Sequence, residues 1–312
     1  MAQNGVVESL YSSFGEDFRH VCSNPQIAHI EVHHNRILGR HLVPGLKVDA
    51  DETDDGIHAD IRVADGVRLE HPIRICFGML PESGLQRINL KMNIGNSAAA
   101  GIVAHCTFPN AREIRHEMEA EITVDEGGEY SYFERHVHGG EGGVKLIPRT
   151  KVRVAKGGRF NTEFELIKGR VGNMEIDLEG ECDDYAVMEV KARIMGSGDD
   201  RIVIREGGIL KGESSRGVLT SHIALSDDAY AEVYNTLSAT GAHARGHVDC
   251  KEIIRGNARA RAVPVVDVMN PQAHVTHEAA IGSVDSKQLQ TLMSRGLNEE
   301  EASDLIIQGL LS

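Results

Sequence analysis

The chain has 312 residues, 41% of them hydrophobic and 26% charged, enough to bury one large core or two modest ones. Its formal net charge of −14, with no cluster of Lys and Arg, excludes a groove that tracks nucleic-acid phosphates. No apolar run approaches the roughly 20 residues of a membrane span, and Met1-Ala2-Gln3-Asn4-Gly5 lacks the basic and apolar regions of a signal peptide. The expectation is a cytoplasmic protein with neither a nucleic acid nor a membrane as partner.

Aromatic residues make up 4% of the chain and Trp is absent, so the core must be built from Val, Ile, Leu, Met and Ala. The 33 Gly against 8 Pro suit many tight turns between short strands. Cys22, Cys76, Cys106, Cys182 and Cys250 stand far apart without a CxxC, which argues against a disulfide framework or a zinc ribbon.

In chain order, Val6, Leu10 and Phe14 recur at helical spacing and predict a short amphipathic helix from Val6 to Phe18. Alternation follows: Ile57–Val63 and Arg87–Met92 have the period of two of a strand, and Ile73–Phe77 lies as a further strand between Pro72 and Pro81. From about residue 113 to 267 the chain reads as strand almost throughout and is quasi-repetitive. Ile122-Thr-Val-Asp-Glu-Gly-Gly128 resembles Val152-Arg-Val-Ala-Lys-Gly-Gly158 and Ile202-Val-Ile-Arg-Glu-Gly-Gly208, with looser copies from Ile176, Ile223 and Ile253. Read this way, successive copies lie at uneven intervals of between 21 and 30 residues. Apolar residues two apart, followed by two small or polar residues, suit coils that cover one another's apolar faces. A parallel β-helix fits this better than an antiparallel sandwich, whose strands repeat at shorter spacing.

The β pattern stops near Asn270-Pro271, and two helices close the chain. Asp285 with Gln288 reads as a capping box for the first, whose stripe is Leu289, Leu292 and Met293, with Arg295-Gly296 as the stop. Asn298 with Glu301 caps the second, whose stripe is Ala302, Leu305, Ile306 and Leu310. Three segments are expected: an N-terminal α/β segment (1–95), a parallel β-helix core (96–270) and a C-terminal two-helix segment (271–312).

Among chemistry-bearing residues, Glu134, His136 and His138 stand out, since on a strand they share one face with roughly 7 Å between alternate side chains. Glu with two His is a possible iron or zinc set; the competing reading is a polar strand face near a loop. His33-His34 and His105-Cys106 read as core or surface pairs, because sequence neighbours on a strand point apart. No GxxxxGK[ST] phosphate loop and no GxGxxG followed by an acidic residue occurs.

The C-terminal residues carry a resemblance. His274-Val-Thr-His277-Glu278-Ala279, Ile281-Gly-Ser-Val-Asp285, Gln288-Leu289, Met293-Ser-Arg295-Gly296-Leu297 and Glu299-Glu300-Glu301-Ala302 resemble, in order and spacing, the C-terminal signature of the SufB/SufD family of iron–sulfur cluster assembly scaffolds. Pro72-Ile-Arg-Ile-Cys-Phe-Gly78 resembles a segment of the family's short archaeal and bacterial members, and the chain is similar to the compact SmsB type. The resemblance implies a right-handed parallel β-helix core and a non-catalytic scaffold holding a transient iron–sulfur cluster. It implies a SufC-like ABC ATPase as partner, docked on Leu289, Leu292, Met293, Arg295, Leu305 and Ile306. It also implies a homodimer, or a heterodimer with a related chain, together with a sulfur donor and apo-acceptor proteins.

Cys250, within Gly246-His-Val-Asp-Cys-Lys-Glu252, falls where SufB carries its essential cysteine, and His277 and Glu278 are the implied further cluster ligands. Thr276 stands where SufB usually has Glu, and Glu278 where SufD usually has Gly, so the match leans to the SufB type. Adjacent strand residues face opposite sides, so His277 and Glu278 reach one cluster only if the backbone bulges or two subunits contribute. Two other functions compete: a β-helix metalloenzyme using Glu134, His136 and His138, and a cofactor-free docking subunit. Six Tyr, seven Phe and no Trp give poor support for sugar stacking in a lyase-type groove.

Overall fold

The computed structural model describes residues 2–12, 21 and 23–312. A helix α1 (Ala2–Ser12) is followed by β1 (His29–His33), β2 (Arg36–His41), β3 (Leu46–Glu52), β4 (Gly56–Val63), β5 (Ile73–Gly78), β6 (Ser83–Ile94), β7 (Ala99–Phe108), β8 (Glu113–Val124) and β9 (Glu129–His138). Next come β10 (Val144–Val154), β11 (Arg159–Lys168), β12 (Gly172–Cys182), β13 (Val187–Gly196), β14 (Arg201–Leu210), β15 (Arg216–Leu225), β16 (Tyr230–Ala239), β17 (Arg245–Ile254), β18 (Arg259–Val268) and β19 (His274–Gly282). Two helices, α2 (Ser286–Met293) and α3 (Glu299–Leu310), complete the order. Phe14, Phe18 and Cys22 lie outside the described residues.

Period-two patterning sets the strands. In β6, Ile88, Leu90, Met92 and Ile94 are buried while Arg87 and Lys91 face water. One sheet runs β19-β17-β15-β13-β11-β9-β7-β5-β1-β2 and the other β18-β16-β14-β12-β10-β8-β6-β4-β3. Each coil contributes one strand to each, giving a parallel β-solenoid of about eight turns, the mainly β class that the alternation predicts. Antiparallel pairs β1–β2 and β3–β4 open it. Parallel pairing begins with β1–β5 and β4–β6, ahead of residue 96, and ends with β17–β19, beyond residue 270.

From β5 to β19 neighbouring coils are offset by 28 to 30 residues, apart from a one-residue shift at Lys168, a period more regular than the sequence copies suggested. Val152 does stand opposite Ile122, but Gly180 rather than Ile176 stands opposite Val152. The copies from Ile223 and Ile253 belong to the other sheet, where Ile223 faces Glu252. Alternation looks the same at any even offset and recurs in both sheets, so apolar matching alone left the phase loose.

The corners stack as tightly as the strands. Gly127, Gly157, Tyr185 and Ser214 form one column of left-handed residues, in which the Gly127 N–H donates to Lys156 O at 3.0 Å and the Gly157 N–H to Asp184 O at 2.8 Å. The interior between the sheets is a continuous aliphatic core running from Ile30 to Ala258. Charged pairs line the outer faces coil to coil, Arg87–Glu117 and Lys211–Glu181 among them; being exposed, each contributes little.

α1 covers the outer face of β5: Leu10 and Tyr11 are buried beside Cys76, and the Tyr11 hydroxyl donates to Glu31 Oε1 at 3.0 Å. At the other end, α3 has the full capping box of Asn298 and Glu301. At α2, Asp285 accepts from the Gln288 N–H at 2.7 Å, and that half of the expected box is the one that forms. Ile307 and Leu311 pack on Ala224 of β15 and Ile253 of β17, from outside. The last carbonyls of α3, unpaired within any helix end, are met by Arg193 at Leu311 O and His222 Nδ1 at Leu310 O. Leu305 and Met293 remain 46% and 41% exposed. Among the described residues no helix is long and apolar enough to cross a membrane.

Two corner glycines separate backbone strain from steric exclusion. Gly157 has φ +66° with open space where a Cβ would point, whereas at Gly172 (φ +88°) a Cβ would sit 1.8 Å from Gly142 O. Gly157→Ala should therefore lose about 1–2 kcal/mol, the left-handed strain alone. Gly172→Ala should lose considerably more, because the coil below must move. Urea denaturation midpoints of the two variants check the order; equal losses would contradict the stacking described.

Candidate functional site

β17 turns Val248, Cys250 and Glu252 inward, and all three are buried, Cys250 completely. In the flanking coils Cys250 stands level with Ser221 of β15 and Ala279 of β19. In a parallel ladder, level residues share a face. His277, opposite Val248, is therefore on the side of Cys250, while Glu278, opposite Asp249, faces the other way. From the strand spacing and the rise per residue, the His277 and Cys250 Cα atoms stand roughly 8 Å apart. His277, Glu278 and Ala279 are all exposed, as is most of β19, because it is the last strand of its sheet. Apolar side chains share that exposure: Val268 and Met269 at the end of β18, and Ile281 on β19.

Cys250 looks into a polar stretch of the interior. Its Sγ lies 3.6 Å from the Asn235 side-chain amide. With that amide oriented to satisfy its neighbours, its oxygen accepts from Ser221 Oγ at 2.9 Å and its nitrogen donates to Glu206 Oε2 at 3.3 Å. Neither carboxylate oxygen of Glu252 has a hydrogen-bond partner. Burial, with the charges of Glu252, Glu206 and Asp249 added, pushes the Cys250 thiol up to about 12. Burial raises Glu206 to about 8, and burial with Asp249 nearby raises Glu252 to about 7. On the outer face Asp249 is held below the usual carboxylate range: its partial burial opposes this, but Lys251 and His222 bond to it.

A second polar group lies deeper. Glu134, His136 and His138 all point inward from β9. The ladder sets Cys106 of β7 level with His136, and His116 reaches in from β8 of the opposite sheet. Cys106 Sγ donates to Glu134 Oε1 at 3.3 Å, His136 Nε2 lies 2.8 Å from the same oxygen, and His136 Nδ1 lies 3.1 Å from His138 Nε2. One ligand atom from each of Cys106, Glu134 and His136 fits within a mutual 4.8 Å. The His116 and His136 ring centroids are 6.3 Å apart, and His116 Nδ1 has no hydrogen bond. Burial lowers His116 to about 3 and His138 well below its ordinary value, in both cases aided by His136, so both rings are neutral. Burial raises the Glu134 carboxyl, but the His136 hydrogen bond and its field outweigh it and hold the group ionised. An interior cavity of about 50 Å³ touches Tyr132, Glu134, Phe164 and Glu206, and so borders both polar groups.

Comparison with known proteins decides the family. The profile of the SUF system FeS cluster assembly SufBD core domain matches residues 83–310. The chain belongs to the SufBD family. An iron–sulfur cluster assembly SufBD family protein of Pyrococcus horikoshii is 37% identical over 286 residues, covering 92% of this chain and 87% of that one. Another from Methanocaldococcus jannaschii is 33% identical over 282 residues, covering 90% and 89%. The iron–sulfur cluster assembly protein SufB of Bacillus subtilis is 25% identical over 260 residues, 80% of this chain and 54% of its own length. Membership gives the SufBD chain a role in iron–sulfur cluster assembly, and the two archaeal proteins match it nearly end to end.

Sequence reading missed Cys106 and His116 as neighbours of His136, and Glu206 and Glu252 as neighbours of Cys250. For Cys106 the signal was available: it stands one coil before His136, and a regular period would have stacked them. Glu252 was legible by alternation from Cys250. Glu206 and His116 come from the opposite sheet, and no in-sheet repeat points to them.

The two raised carboxyls tie stability to pH. Glu206 stays protonated in the fold up to about pH 8, whereas in the unfolded chain it ionises near pH 4.3. Its contribution is complete below the unfolded value and is lost as pH rises through the folded one. The buried neutral His116 acts oppositely, but only below about pH 6.5. Between pH 6.5 and 8 wild-type stability should therefore fall by about 2 kcal/mol, and Glu206→Gln should remove most of that fall. Urea midpoints at the two pH values test it.

Proposed function

We propose that this chain is a scaffold on which a labile iron–sulfur cluster, as cargo, is built at Cys250 and then passed to an apo-acceptor protein. The observation that carries this reading is the position of Cys250, one strand in from the uncovered end of a SufBD solenoid and on the same face as His277. Soft sulfur suits iron–sulfur chemistry. A ligand set completed by imidazole and carboxylate holds a cluster less firmly than four thiolates, which suits transfer. His277 joins Cys250 from within the chain. Glu278, on the opposite face of β19, serves across a contact with a second chain, a homodimer or a pair with a related scaffold. The exposed apolar residues Val268, Met269 and Ile281 support an association at this end.

The thiol must lose its proton to bind iron, and a coordinating thiol does so outright beside a metal cation. Glu252, two residues along the same face with both oxygens unpartnered, can take up that proton or add an oxygen ligand. A sulfur donor supplies sulfide equivalents. A SufC-like ABC ATPase supplies the work, docking on α2 and α3 through Leu289, Leu292, Met293, Arg295, Leu305 and Ile306, of which Met293 and Leu305 are the more exposed apolar members. The chain acts as scaffold rather than enzyme. Glu134 and His138 at 5% exposure and His136 at 0% are too enclosed to serve a catalytic site open to substrate, which disfavours the metalloenzyme alternative.

Anaerobic reconstitution with iron and sulfide should give charge-transfer absorbance in the wild type. Cys250→Ser should lose it, and Glu252→Gln should keep the fold while accumulating less cluster. A full spectrum in Cys250→Ser would sink the proposal. Leu305→Asp, on the exposed side of α3, should weaken co-purification of the ATPase and leave reconstitution intact.

A further inference from the structure

The group around Glu134 is absorbed neither by the cluster site nor by simple packing. Ligand atoms of three buried side chains, Cys106, Glu134 and His136, converge there within 4.8 Å of one another. Among the described residues, no Lys or Arg bonds to Glu134. Its carboxylate is met instead by the Cys106 thiol, the His136 ring and the Tyr132 hydroxyl. His116 Nδ1 faces the same interior with no hydrogen bond. Three convergent ligand atoms with an unpartnered imidazole nitrogen beside them are the arrangement that a single cation satisfies.

We propose that Cys106, His116, Glu134 and His136 hold a resident divalent transition-metal ion, zinc or ferrous iron, as a structural staple between the two sheets. Thiolate, imidazole and carboxylate are the ligand types both metals accept, and four donors suit the closed tetrahedral arrangement of structural zinc. The hydrogen bonds change roles consistently. Without metal, His136 Nε2–H donates to Glu134 Oε1. With metal, Nε2 offers its lone pair to the ion and Nδ1–H donates to His138 Nε2, already 3.1 Å away. His138 is thus a positioning residue that holds the His136 ring in its ligating orientation, the usual arrangement behind a metal-bound imidazole. Cys106 gives up its proton to solvent as the ion is bound during folding. His116 and Phe108 pack ring against ring at 5.1 Å, which fixes the imidazole on the side facing β9. The four ligands arise from three constraints: two from alternation along β9, one from the coil before it, one from the facing sheet.

The site is enclosed, so the ion is acquired as the chain folds, and the test supplies it then. The protein carrying Cys250→Ser, which removes the proposed cluster cysteine, is produced in cobalt-supplemented medium, with Co²⁺ as the probe. About one cobalt per chain is expected, with the near-ultraviolet sulfur-to-cobalt charge-transfer band of a thiolate ligand. Adding Cys106→Ser should abolish the band, and adding the isosteric Glu134→Gln should lower retained cobalt at least about tenfold while the far-ultraviolet circular dichroism stays that of a folded β protein. Metal analysis of protein grown without cobalt then separates zinc from iron. The proposal is overturned if the folded protein holds no cobalt, or if the charge-transfer band persists undiminished in the Cys106→Ser chain. Because Cys250 is absent throughout, the result is independent of the cluster-scaffold reading.

Discussion

The parallel ladder, held in register from β1–β5 to β17–β19, is the constraint from which the other features descend. In a solenoid each coil is stabilised by its two neighbours and by little else, so every inward side chain must fit the one above and the one below. Cys106 meets His136, and Ser221, Cys250 and Ala279 form a row, because the ladder permits no other pairing. The same rule governs the corners, where Gly172 has no room for a Cβ because Gly142 O of the previous coil occupies it.

The interior is consequently a place where polarity is costly and local. Aliphatic side chains fill most of it, and the polar groups gather where several coils contribute together. Near the end of the solenoid Glu206, Asn235, Ser221, Cys250 and Glu252 share one region, where burial raises the Glu206 carboxyl to about 8 and the Glu252 carboxyl to about 7. Nearer the start the carboxylate of Glu134 stays ionised, because imidazole and thiol groups surround it. The two regions differ in composition: the first sets a buried thiol beside carboxyls that burial raises, the second gathers thiol, imidazole and carboxylate within a few ångströms.

Much of this was legible beforehand. Alternation in Ile57–Val63, Ile73–Phe77 and Arg87–Met92 identified β4, β5 and β6, and the Asn298–Glu301 pair identified the start of α3. Alternation also put Glu134, His136 and His138 on one face. The coil period was harder to read, since a strand matched to its neighbour at the wrong even offset looks just as apolar, and Ile176 was paired out of phase for that reason; Ile253 is one residue off the partner of Ile223 and faces outward. Contacts between sheets were not legible at all: neither Glu206 beside Ser221 nor His116 beside His136 follows from any spacing along the chain. The C-terminal motifs revealed the family, but the facing of His277 and Glu278 needed the register.

The edge of the sheet bears on how the proposed scaffold would bring reactants to a thiol with no exposed surface. β19 has a single in-sheet neighbour and exposes most of its residues, so it is the least protected rung of its sheet. Opening free energy in folded chains is graded, lowest where contacts are fewest. Opening of that one strand would uncover the edge of β17 beside Cys250 and leave the coils behind it closed. Access to the sulfur would then be a property of end fraying, with the depth of a residue along the solenoid setting how often it sees solvent.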